Sequence, residues 1–268
     1  MKEKTNYGNW VPEKALYMLF GLAAVFLVIT VILQIMLGKP VITAISGIIC
    51  VLILAEAVYM YICHEEFAFG KGNMMAGVHK HLVDHLDWDG NGKLLDIGCG
   101  AAALTVRCAK AFPEAEITAI DYWGVEWSYA KEQCEKNAQI EGVADQITFQ
   151  KGDAAKLAFP DETFDAAVSN FVFHEVRSAK DKRDVVREAL RVVKKGGTFS
   201  FQDMFSQKAL YGDMNEFVNI LKAEGISEIH YIGKLEKKLD FIPGYVTAPW
   251  MISGMGIIYG KKIEYFSQ

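Results

Sequence analysis

The 268-residue chain predicts an α/β domain built on a doubly wound, mostly parallel sheet and preceded by two transmembrane α-helices. Three observations predict it. Two long apolar runs fill the first quarter, strand-like and helix-like segments alternate from about Lys93 through Phe201, and a glycine loop follows the first of those strands. The boundaries expected from this pattern are an N-terminal segment at 1–15, a helical hairpin at 16–63, a juxtamembrane linker at 64–76 and an enzyme-like domain at 77–268.

Leu16 to Leu37 is 22 residues without a formal charge, and Val41 to Cys63 is 23 more with only Glu56. Each is long enough to cross a hydrocarbon core of roughly 30 Å. The first run holds fourteen Leu, Ile, Val and Phe residues against the single Gln34, a balance that strongly favours insertion. A signal peptide is excluded by the length of the run, the lack of an A-x-A-like site and the second run that follows at once. Gly38-Lys39-Pro40 makes the turn, because glycine releases a helix and proline cannot continue one. The antiparallel hairpin is expected to bring Gln34 near Thr43 and Ser46, with Gly21, Ala23, Ala24 and Gly47 permitting close backbones. Lys2, Lys4 and Lys14 precede the first span and Lys71 and Lys80 follow the second, against Lys39 alone in the turn. Both termini and the domain beyond are therefore expected on the cytoplasmic side of a cell membrane. Glu56 lies toward that end of its span, where protonation or snorkelling accommodates it.

The most informative stretch is Leu94-Leu95-Asp96-Ile97-Gly98-Cys99-Gly100-Ala101-Ala102-Ala103-Leu104-Thr105, followed by Ile120-Asp121. A strand running into glycines and then a helix lets a ligand touch bare backbone, and an acid at the end of the next strand can hold a ribose. Gly98, Gly100 and Ala103 also satisfy the spacing used for nicotinamide dinucleotides. Charge separates the two readings. A pyrophosphate on the helix N-terminus is anionic and Asp96 would repel it, whereas an ammonium and a sulfonium would be attracted, which favours S-adenosylmethionine (SAM). Further along, Ile147 to Asp153 reads as a strand ending in an acid, and Thr163 to Asn170 as a fourth strand with a loop through His174 and Glu175. Leu190 to Phe201 reads as a helix, a Lys-Lys-Gly-Gly stop and a strand. Asp213 with Glu216 caps a later helix that Gly225 ends.

With these motifs in order, the segment from about Met75 to Asp203 resembles the class I SAM-dependent methyltransferases, and within them the small-molecule branch acting on quinones or sterols. The resemblance implies a seven-stranded Rossmann-like sheet, with Ile229 to Ile232 and Gly256 to Tyr259 as its last two strands. It also implies that Asp96, Gly98, Cys99 and Gly100 line the methionine and sugar, that Asp121 takes the ribose hydroxyls, and that Asp153 and Ala154 face the adenine. Tyr122 and Trp123 follow the ribose acid and could stack on the base or simply pack; Asn170 closes the fourth strand. One departure is Ala102, where the family usually carries its third glycine.

Methyl transfer needs alignment and desolvation more than it needs acid–base chemistry. His174 stands where an acceptor would approach and is the candidate catalytic base. His79, His81 and His85 fail as a metal site, because only two share a helical face. They are expected to form the polar face of a lead-in helix. The net charge of −5 provides no basic footprint for nucleic acid. The five cysteines form no metal or disulfide spacing and are expected as free thiols. The expected function is methyl transfer from SAM to a lipophilic or membrane-associated small molecule. A soluble or protein acceptor, a non-catalytic SAM-binding regulator and a nicotinamide oxidoreductase remain as alternatives, and the oligomeric state is open.

Overall fold

A computed structural model describes residues 3–69, 74–124, 131–226 and 228–262. It divides into two compact units, residues 8–76 and residues 1–7 with 77–268.

In the first unit, α1 (Glu13–Leu37) and α2 (Pro40–Phe67) form the hairpin. Gly38 adopts φ +57 at the end of α1 and Pro40 opens α2, as expected of a helix-releasing glycine and a proline at a first helical position. The seam runs along Ala23, Phe26, Thr30 and Leu33, at spacings of three and four residues. There the Thr30 and Ser46 hydroxyls meet at 2.7 Å, and Cys50 Sγ donates to the Ala23 carbonyl at 3.3 Å. Gly47 lies against the Thr30 methyl group. Two expectations fail here. Gln34 is exposed, one residue round the helix from the seam at Leu33, so it does not reach Thr43 or Ser46. Gly21 faces open space. The base of the hairpin is tied by Asn9 Nδ2 donating to the His64 carbonyl at 2.8 Å, and by Trp10 packing on Phe67.

The second unit carries the sheet: β1 (Gly92–Ile97), β2 (Ala115–Asp121), β3 (Ile147–Lys151), β4 (Phe164–Asn170), β5 (Val193–Asp203), β6 (Glu228–Gly233) and β7 (Gly256–Lys261). The strand order is β3-β2-β1-β4-β5-β7-β6, parallel except for β7. Helices α3 (Met74–Asp84), α4 (Ala103–Ala111), α5 (Lys131–Glu141), α6 (Lys182–Arg191), α7 (Lys208–Tyr211) and α8 (Met214–Ala223) complete it. Alternation within the strands sends Leu95, Ile97, Phe199 and Phe201 to one core, and Leu94, Ala119, Phe149 and Val168 to the other. Register aligns the strand ends, pairing Ile97 with Ile120 and with Ser169, and Asn170 with Gln202. One edge of the sheet therefore presents Asp121, Asn170 and Asp203 together.

Three local expectations are corrected. Lys194-Lys195-Gly196-Gly197 is not a helix stop: α6 ends at Arg191 and β5 already contains these residues, with a register shift opposite Phe164 and Ala166. Gly196 at φ +78 absorbs that irregularity. Helix α4 begins at Ala103, because Ala102 sits at φ +69. The alternation of strands and helices places a helix between β2 and β3, and α5 is described there from Lys131; residues 125–130 lie outside the described ones. His79 is buried as well, and desolvation followed by the Arg107 charge lowers its pKa to about 3. The lead-in helix is covered on both sides and keeps only Lys80 and Asp84 as an exposed ion pair. Asp213 caps α8 by accepting the Asn215 and Glu216 N–H groups, as expected.

Candidate functional site

The loop between β1 and α4 folds back on β2, with the Gly98 and Cys99 N–H groups donating to the Ile120 carbonyl at 2.8 and 2.9 Å. Gly98 is required twice over. Its φ is +76, and a Cβ there would stand 2.2 Å from Val172 Cγ2 in the loop after β4. The cofactor-type loop and the acceptor-side loop are thus in direct contact through a missing side chain.

Asp121, half-buried at the end of β2, accepts the Gly100 N–H on Oδ2 at 2.9 Å and the Trp123 N–H on Oδ1 at 2.7 Å. A carboxylate has about four acceptor positions, and with the Tyr122 backbone N–H also directed at it Asp121 retains acceptor capacity for a ribose hydroxyl. Burial raises the Asp121 pKa, against the lowering effect of these backbone bonds.

Asp96 lies deeper than the resemblance implies. It is buried, and Oδ2 accepts the Thr105 hydroxyl at 2.5 Å. Oδ1 has no hydrogen-bond partner. Burial, partly offset by the Thr105 bond and reinforced by the charge of Asp121, raises its pKa to about 7. The carboxylate is sealed under the glycine loop, so its attraction for a ligand cation acts across the loop backbone.

Asp153 accepts the Ala155 N–H at 2.9 Å and the Ser178 hydroxyl at 3.0 Å, both on Oδ1, which leaves Oδ2 for a ligand donor. Ala154 packs against the core beside it. Tyr122 is 63% exposed, with Lys151 Nζ 5.0 Å from its ring centre. Trp123 turns the other way: at φ +42 it donates Nε1–H to the Gly100 carbonyl at 3.2 Å and packs on the cluster holding Cys99 and Ala102. It props the loop. Cys134 Sγ donates to the same carbonyl at 3.1 Å. All five cysteines are free thiols.

Asn170 Oδ1 accepts from Gln202 Nε2 at 3.0 Å, and Gln202 Oε1 meets His81 Nδ1 at 3.2 Å. Beyond Asn170, the buried Asp203 at the end of β5 organises the next loop. Its oxygens accept the N–H groups of Phe173 at 2.8 Å and Met204 at 2.6 Å, and Oδ1 meets His174 Nδ1 at 2.7 Å. His174 Nε2 stands 3.5 Å from Glu175 Oε1. Burial alone would lower the His174 pKa, but the charge and hydrogen bond of Asp203, joined by those of Glu175, raise it to about 10. Both ring nitrogens face carboxylates, an arrangement that favours the imidazolium over the neutral ring that the expected base role needs. Asp203 and Gln202 escaped the sequence reading, and of the two roles left open for Trp123 the structure shows packing. The rule that singled out Asp121, an acid at the end of a parallel strand, applies equally to Asp203.

Strand order, glycine loop and the acids at the strand ends together define a nucleoside-cofactor site, and residues 95–201 match the family described as a methyltransferase domain. Over these residues the chain is similar to the class I SAM-dependent methyltransferases, and SAM is the methyl donor its site fits. Among its relatives, the sterol 24-C-methyltransferase of Aspergillus fumigatus is 29% identical over 156 residues, 56% of this chain and 39% of that protein. The demethylmenaquinone methyltransferase of Bacillus licheniformis is 35% identical over 123 residues, 44% of this chain and 49% of that protein. The chain thus spans less than half the length of either relative. A geranyl diphosphate methyltransferase solved with SAM shares the fold at a TM-score of 0.54 and 14% identity, over 74% of this chain and 94% of that one. The [4+2]-cyclase SpnF does so at 0.52 and 18%, over 70% and 81%. The fold alone therefore does not set the reaction.

Proposed function

We propose that this chain is a membrane-anchored methyltransferase that transfers the SAM methyl group to a lipophilic or membrane-associated small molecule. The observation that carries the reading is the presence, beside a SAM-type site, of two helices of 25 and 28 residues with mean hydropathies of 2.7 and 2.5 over their apolar windows. Only 11% and 17% of those windows is buried within the protein, so the apolar faces are left for lipid. The names of the two relatives, a sterol and a demethylmenaquinone methyltransferase, agree with an acceptor that dissolves in a bilayer. The basic residues before the first span and after the second support a cytoplasmic domain.

SAM supplies an electrophilic methyl carbon, and the residues of the chain supply position. Asp121 would hold the ribose through its remaining acceptor capacity, Asp153 the adenine amino group, and Tyr122 would offer a face for the base. The glycine loop brings backbone within reach of the methionine portion, over the buried charge of Asp96. Asn170 closes this end of the site, fixed by Gln202. On the acceptor side, His174 is oriented by Asp203 and would donate Nε2–H to an acceptor oxygen as Glu175 swings aside. Such a donor steadies a phenolate or enolate oxygen while its ring carbon or the oxygen itself attacks in line.

The test is transfer from radiolabelled SAM by the purified full-length protein, supplied in parallel with membrane extract and with cytosolic extract. Label that partitions into the organic phase of the membrane reaction is expected. Label confined to the aqueous fraction would reject the lipophilic acceptor, and SAM binding without transfer to either extract would make the protein a regulator.

A further inference from the structure

Asn137, on α5, is completely buried, and a buried amide is costly unless its polar atoms are all engaged. Here they are. Oδ1 accepts the Asn6 N–H at 2.9 Å and Gln133 Nε2–H at 3.0 Å, while Nδ2 donates to the Asn6 carbonyl at 2.8 Å and to the Ala101 carbonyl at 2.9 Å. Two donors and two acceptor positions exhaust an amide side chain. One residue thus joins the N-terminal segment to the glycine loop, next to the Gly100 N–H that orients Asp121. Neighbouring contacts fix the segment along the same helix. Tyr7 donates its hydroxyl to Glu141 at 3.2 Å and packs on the cluster containing Cys99 and Ala102, and Glu3 pairs with Lys136 at 3.0 Å. Residues 3–7 consequently belong with the cofactor domain, although the hairpin separates them from it in sequence.

We propose that Asn137 is a positioning residue for the cofactor, clamping residues 3–7 to the Ala101 carbonyl so that SAM affinity depends on that segment. The inference rests on SAM occupying the glycine loop. Loss of the clamp frees the loop backbone at Ala101, and the Gly100 to Asp121 bond on its ribose side loosens with it.

The experiment is calorimetric titration of the full-length protein with SAM, alongside Asn137→Asp, a deletion of residues 2–7, and the two combined. Asn137→Asp keeps the acceptor and removes both donations, while the deletion leaves Asn137 itself in place and removes its Asn6 partner together with the packing of Tyr7. Each is expected to weaken SAM about five- to tenfold, on the scale of one or two hydrogen bonds, and the combination no further, because both break one link. Backbone hydrogen exchange of residues 98–102 in the cofactor-free protein is expected to rise in all three. If the intact protein binds SAM and the deletion binds it within twofold, with unchanged exchange at 98–102, the clamp is overturned and the cofactor reading stands. If the intact protein binds no SAM, the cofactor reading falls and the clamp falls with it.

Discussion

Asp96 carries a measurable tension between stability and binding. Its folded pKa of about 7 lies above the roughly 3.9 of an unfolded aspartate, so between those values the folded chain keeps a proton that the unfolded chain has lost. Stability of the cofactor-free protein should therefore fall as pH rises from about 4 to about 7, with the cost complete above 7 and on the order of 4 kcal/mol at most. Asp96→Asn removes that cost, so its melting temperature at pH 8 should exceed that of the parent protein. Its SAM affinity should fall at least about tenfold, because the attraction for a cationic ligand is lost. At His174 the expected signature is a pH profile. With the ring held protonated by Asp203, methyl transfer should be level in His174 ionisation from pH 6 to 8. Asp203→Asn should return the imidazole toward its ordinary pKa of about 6.5 and create a fall in rate across that interval. Gly98→Ala should be the most damaging small change. The added methyl has no space beside Val172, and a φ of +76 costs a non-glycine residue about 1–2 kcal/mol by itself. Thermal unfolding of Gly98→Ala and of Gly98→Ala with Val172→Ala would separate the clash from the strain, the double variant recovering only the first.

Among the elements, the hairpin and the sheet were readable for opposite reasons. The hairpin spans announce themselves by length and lack of charge, yet their contacts do not, since a turn of 100° between Leu33 and Gln34 decides which one faces the partner. Replacing Thr30 with Val removes the hydroxyl pair with Ser46 at 2.7 Å; a loss of about 0.6 kcal/mol in hairpin stability is expected in detergent unfolding. The first strands of the sheet were readable because β1 runs into Gly98, β2 ends at Asp121 and β3 runs into Gly152 and Asp153. Lys194 to Gly197 misled because cations and glycines suit a helix end and an irregular strand start equally well, and only the pairing of β5 with β4 distinguishes them. Asn137, and the bond by which Trp123 props the loop, were out of reach for a different reason. Their roles arise from hydrogen bonds to backbone carbonyls at Ala101 and Gly100, which residue type and spacing do not encode. Ala102 was seen only as a missing glycine, and the structure supplies its meaning: it occupies the left-handed conformation that the glycine would have taken freely.

On the scale of the whole molecule, the proposed anchoring would join an aqueous cofactor to an acceptor confined in a bilayer and so raise the acceptor's local concentration without any new contact. All of it depends on the acids at the strand ends holding a sulfonium nucleoside and not a phosphate-bearing one. The most direct measurement is calorimetric titration of the full-length protein with SAM and, separately, with NADH, repeated on Asp121→Ala. Saturable binding of SAM, no heat from NADH, and a loss of about a hundredfold in Asp121→Ala, the scale of a charged two-point hydrogen bond, is the predicted result. Saturation by NADH with no response to SAM would contradict it.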